Sequence, residues 1–195
     1  MKFKALFIAA ITALSFGFAA CNSSKTDAEP APEAVYVDEV FACADSIIGD
    51  TLEVQGIVSH LCAHGGRKAF LLGVDTTLIL RCEATAEMGG AFAPDTKGKH
   101  ITVKGIFREN RIDEAAVAAM EARHAAADSV ANKHESCDTE KKALGQAGLD
   151  TFADRMADFR AKIAERDSLE GKPYLSNYYL EALGYTVEEA DGEGE

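Results

Sequence analysis

Gly49-Asp50-Thr51-Leu52-Glu53-Val54-Gln55-Gly56-Ile57-Val58 is matched further along the chain by Gly98-Lys99-His100-Ile101-Thr102-Val103-Lys104-Gly105-Ile106-Phe107. Both stretches read Gly-x-x-(Leu/Ile)-x-Val-x-Gly-Ile-apolar. Apolar and polar residues alternate, which is the period of a half-buried strand. A glycine inside such a strand marks a bend or bulge of the kind that barrel closure requires. Two further strands are predicted between the repeats. Lys68–Val74 follows the turn residues Gly65-Gly66, and Thr77–Cys82 follows Asp75-Thr76. Residues 84–97 contain Gly89-Gly90 and Pro94 and read as a loop or short helix.

This order, a long bent strand, a hairpin, a loop or helix and a second bent strand, resembles the OB-fold over residues 47–112. The resemblance implies an α+β protein with a five-stranded OB-like barrel; another small meander or sandwich is the alternative. Residues 38–112 supply four strands, so the fifth must come from elsewhere. Asp113–Lys133 is Ala-rich without Gly or Pro and predicts a helix. In Asp150–Leu169, Phe152, Met156, Phe159 and Ile163 form one apolar helical stripe, read as packing on the barrel or the preceding helix. Gly145 and Gly148 break the chain between them, so residues 113–172 read as a helical hairpin, inserted or appended. Residues 173–189, with Tyr174, Tyr178, Tyr179, Tyr185, Thr186 and Val187, read as the closing strand. Leu180 to Leu183 keep a helical alternative open there. The acidic, Gly-containing residues 190–195 read as a disordered tail.

The 195 residues carry 20 Lys+Arg and 32 Asp+Glu, a net charge of −12. A hydrophobic content of 47% fits a globular chain and excludes a wholly disordered one. The charge argues against nucleic acid as a partner, because phosphate binding needs basic surface. The acid is unevenly spread. Residues 49–112 hold 8 basic and 7 acidic side chains, whereas residues 113–195 hold 9 and 19. Arg67, Lys68, Arg81, Lys97, Lys99, Lys104, Arg108 and Arg111 form either a basic face or scattered solubilising charge.

At the N-terminus, Lys2 and Lys4 precede an apolar run from Ala5 to Ala20, the pattern of a secretory signal peptide over residues 1–20. Phe18-Ala19-Ala20-Cys21 resembles a bacterial lipobox, with Phe18 where Leu is commoner. That resemblance implies cleavage before Cys21, a lipid on its sulfur and a membrane-anchored lipoprotein of the bacterial cell envelope, on its periplasmic or surface face. An ordinary signal peptide is the alternative. Residues 21–37, with Pro30 and Pro32 and little that could fill a core, read as a flexible tether.

His60-Leu61-Cys62-Ala63-His64-Gly65-Gly66-Arg67-Lys68 is the most chemical stretch. If the strand continues, His60, Cys62 and His64 share a face. Imidazole and thiolate suit zinc or copper. More distant ligands would be needed: His134 and Cys137, three apart on a continuing helix, and Cys82 at a strand end. The Cys62-Ala63-His64-Gly65-Gly66 stretch and Cys137-Asp138-Thr139-Glu140 resemble segments of uncharacterised bacterial lipoproteins with an OB-fold (tRNA-anticodon-binding-like) domain. The resemblance implies a shared role for Cys62, His64 and Cys137 and no particular activity. The competing reading is a disulfide: Cys43, Cys62, Cys82 and Cys137 are an even number in an oxidising compartment. Cys43, in Val40-Phe41-Ala42-Cys43-Ala44, reads as a buried small hydrophobe. His100 and His124 read as exposed strand and helix residues. Arg67 and Lys68 beside the glycine turn suit an anionic ligand.

Gly-x-Ser-x-Gly, the phosphate-binding Gly-rich loop, His-Glu-x-x-His and Cys-x-x-Cys are all absent. The sequence therefore argues for binding rather than catalysis. Three forms remain open: a transition-metal site; a metal-free module for protein, peptide or glycan with disulfide-bonded cysteines; and, third, thiol redox catalysis through an accessible disulfide.

Overall fold

The computed structural model describes residues 33–63, 65–127 and 137–188. In chain order these form β1 (Val35–Tyr36), α1 (Val37–Ala42), β2 (Thr51–Leu61), β3 (Lys68–Leu72), β4 (Ile79–Ala84), β5 (His100–Ile112), α2 (Glu114–Ala126), α3 (Asp138–Ala143), α4 (Phe152–Glu170) and β6 (Leu175–Val187). The two glycine-framed repeats are β2 and β5, and they pair antiparallel with each other about Val54↔Val103. Beyond that shared segment β2 goes on to pair with β3, while β5 pairs on its other edge with β6 along Ile101–Ile112. The parallel β4–β6 pair joins the two ends, so β2-β3-β4-β6-β5 closes on itself as an OB-like barrel. β1 adds a short parallel strand on β2.

The interior glycines sit where the wall turns. A Cβ at Gly56 would lie 2.6 Å from the Leu72 carbonyl oxygen, and one at Gly105 2.7 Å from that of Glu181. Only a residue without a side chain lets these backbones approach so closely. Gly105 also borders the register shift in the β5–β6 ladder.

Val54, Val58, Leu71, Leu80, Ile101, Val103, Phe107 and Leu180 fill the barrel, and Val37 and Val40 of α1 join the same core. Buried Leu180 and Ala182 alternate with half-buried neighbours along β6. The helix-favouring Leu180–Leu183 stretch is thus a strand, because pairing on both sides outweighs intrinsic propensity. The helices α2, α3 and α4 are an insertion between β5 and β6. The loop after β4 contains one 3-10 turn, Pro94–Thr96.

A second, smaller core lies under the inserted helices. Met156, Phe159 and Ile163 of α4 pack with Val117 of α2 and Ile112 at the end of β5, and Phe152 joins them half-buried. Asp113 and Thr151 cap α2 and α4 by accepting from the amides of Ala116 and Asp154. α2 ends at Ala126, and the remainder of the stretch read as helix, from residue 128, lies outside the described residues. So do the signal segment, Cys21 and the acidic tail.

Candidate functional site

β2 stops at Leu61, and the Cys62 amide donates to the Lys68 carbonyl, 2.9 Å. The Gly66 amide then donates to the Cys62 carbonyl, 3.1 Å, with Gly65 and Gly66 both at positive φ. The turn therefore begins at Cys62, and the two-residue strand spacing expected to align His60, Cys62 and His64 ends there. His64 and His134 lie outside the described residues.

His60 sits on the outer face of the barrel, its ring 5.8 Å from that of its cross-strand partner Phe70. Its Nε2 is buried and has no hydrogen-bond partner among the described residues. Cys62 is half-buried beside it in sequence.

Cys82 stands apart. It pairs across from Ala69, points into the barrel core and is fully buried. Burial pushes its thiol far above the ordinary range. Cys137 is the N-cap of α3 with extended backbone, so the helix expected to carry His134 and Cys137 on one face does not run through Cys137. Cys43 is exposed rather than buried: it ends α1 on the outward side, its Sγ 3.2 Å from the Glu39 carbonyl, while Val40 and Ala44 take the inward positions. No disulfide links Cys43, Cys62, Cys82 and Cys137. No group of three or more metal-ligating side chains occurs among the described residues.

The other histidines have company. His100 Nδ1 is 2.8 Å from Glu188 Oε2, an ion-pair distance without a hydrogen bond, and the ring of His124 stacks on Phe152 at 3.9 Å. The basic residues are largely paired too. Lys99 meets Asp95 at 2.9 Å, Arg108 meets Glu181 at 2.8 Å and Arg111 meets Glu109 at 3.0 Å. Arg67 is exposed, whereas Lys68 is engaged by Glu140 of α3, 2.7 Å from Nζ.

Glu140 and Arg81 are both named in the sequence, but their meeting is not legible there. Glu140 also stands 3.5 Å from Arg81 Nη1, and Glu83 stands 3.2 Å from Arg81 Nε without forming a hydrogen bond. The Arg81 guanidinium lies over the Tyr179 ring, 5.1 Å from its centroid. Arg81 alternates with the core residues Leu80 and Cys82, so it must face outward. That alternation is the one signal the sequence offered.

Above Arg81 is a cleft of about 120 Å³ between the outer face of β4 and β6 and the inserted helices. Ile79, Ile112, Leu144, Phe159 and Leu175 give it apolar walls, and Arg81, Glu140 and Asn177 supply polar groups. At its rim Tyr178 donates its hydroxyl to Asp45. That bond holds the Asp45 carboxyl below the usual range; burial first and the Asp45 contact second raise the Tyr178 phenol.

No protein-family model matches the chain, and neither a curated protein nor a solved structure matches it.

Proposed function

We propose that this is a lipid-anchored binding protein of the bacterial cell envelope, with a transition-metal site at the β2–β3 end of its OB-like barrel. The anchor rests on Phe18-Ala19-Ala20-Cys21 behind a signal-like apolar run; the tether, read from sequence as residues 21–37, ends before β1, because Val35 and Tyr36 pair with β2 and Val37 is buried in the barrel core. The observation that carries the metal reading is His60. Its buried Nε2 lacks a hydrogen bond among the described residues, two positions from Cys62. A buried imidazole nitrogen normally has a partner, and zinc or copper is one that His and Cys together select. Cys137, and from sequence His64 and His134, are the candidates to complete the shell.

The test uses residues 22–195, exported to an oxidising compartment and purified without a His tag. Metal content and thiols are counted on the same sample. About one equivalent of zinc or copper, lost in His60→Ala and in Cys62→Ser, is the expected result. Metal-free protein with two or four thiols missing overturns the reading. It would leave a metal-free interaction module for protein, peptide or glycan, stapled by disulfides.

A further inference from the structure

The cleft between β4, β6 and the helices is carried by residues other than those of the metal reading, and its unmet chemistry is specific. Arg81 has a side chain only 12% exposed. Its Nε is buried without a hydrogen bond, and the nearest carboxylate to its Nη1 stands off at 3.5 Å. Glu140 spends its short contact, 2.7 Å, on Lys68 instead. A guanidinium presents a planar fork of five donors, and buried donors are ordinarily satisfied. Asn177 also lines the cleft from β6, two residues from the Tyr179 that pairs with Arg81. Its side-chain amide makes no hydrogen bond among the described residues.

We propose that this cleft binds a small monocarboxylate with an apolar body. The carboxylate lies on the Arg81 fork beside the Asn177 amide, and the body lies among Ile112, Leu144 and Phe159. Three observations choose the class. A planar carboxylate matches the guanidinium bidentately. Glu83 and Glu140 already flank Arg81, so a dianion such as a phosphate ester is repelled. The volume of about 120 Å³ is slightly below the ~150 Å³ that accommodates a benzene, so the body is a short branched chain, with a single ring as the upper limit.

The experiment uses the full chain in lipid nanodiscs, with empty nanodiscs as blank, and radiolabelled benzoate and isovalerate as probes. At least one probe binds saturably at one site per chain. Benzyl alcohol and phenyl phosphate compete at least tenfold more weakly than the unlabelled probe. Arg81→Gln and Asn177→Ala each weaken binding, Arg81→Gln by tenfold or more. Cys62→Ser leaves it unchanged, which separates this site from the metal reading. Saturable binding by neither probe overturns the proposal, as does wild-type binding by Arg81→Gln. If Arg81→Gln does not fold, wild-type binding by a folded Asn177→Ala overturns it instead.

Discussion

The barrel and the helical layer on its side are held by different forces. In the barrel, hydrogen-bonded ladders run right round the wall, and a large cluster of buried hydrophobic side chains fills the inside. The helical layer contributes four buried apolar residues to its core, Ile112 of β5 being the fifth among the described residues, and depends on side-chain links. Arg160 of α4 reaches Glu114 and Glu121 of α2 at 2.8 to 3.1 Å. Buried Gln146 donates to the Arg155 carbonyl and to Asp158, and accepts from Arg155 Nε. Arg166 Nη1 donates to the Tyr174 carbonyl and the Ser176 hydroxyl. Exposed ion pairs contribute little and weaken with salt. The layer is thus the part that opens first, although it forms one side of the ligand cleft.

Paired truncations in the two cores break or sharpen that contrast most directly. Phe107→Ala removes a fully buried ring from the barrel and costs about 4 kcal/mol globally. Phe159→Ala removes an equally apolar ring from the layer, yet the loss is local. Hydrogen exchange should show α2 and α4 amides losing protection while β2 and β5 amides keep theirs. Equal loss at β2 and β5 would mean that barrel and layer unfold as one unit. A smaller effect tests closure itself. Gly105→Ala puts a Cβ 2.7 Å from both the Glu181 carbonyl and Leu180 Cγ, at a cost of about 2 kcal/mol. Gly184→Ala meets no heavy atom within 4 Å and stays within about 0.5 kcal/mol of the parent. Urea denaturation compares them; equal midpoints would show that the close approach at Gly105 does not set the closure.

The same contrast explains what could be read from residues alone. The barrel was legible because its two bent strands share a pattern and pair with one another, so alternation and glycine position carry the topology. β6 was harder, since Leu180–Leu183 favour helix locally and become strand only through β4 and β5. α3 had no readable signature: Asp138–Ala143 has no buried residue, and Glu140 docks on Lys68 and Arg81 across the fold. The Cys/His stretch was conspicuous, but its geometry was not. The turn starts at Cys62, Cys82 turns inward and Cys137 caps a helix, none of which spacing could show. The cleft was invisible because its walls come from separate elements whose meeting is a tertiary event.

Asp38 offers the finest test, because it ties α1 to the barrel by charge rather than by packing. Its carboxylate accepts from the amides of Val74 and Asp75 at 2.7 and 2.8 Å, and a Cβ at Gly73 would overlap it. The Asp75 amide bond, more than the Val74 bond, holds its pKa below the ordinary 3.8. The native state therefore binds fewer protons than the unfolded chain in this range. The stabilisation is complete above pH 3.8 and disappears as the pH falls through the lower native value. Solvent reaches the carboxylate, so the effect is small. The urea midpoint of the parent should fall from about pH 5 to about pH 2.5, and Asp38→Asn should fall less steeply over the same window. Asp45, Asp95, Asp138 and Glu121 are held low as well, so the variant removes only a share of the slope. Identical slopes would mean that the α1 carboxylate does not fasten this end of the barrel, leaving Val37 and Val40 to hold the helix by burial alone.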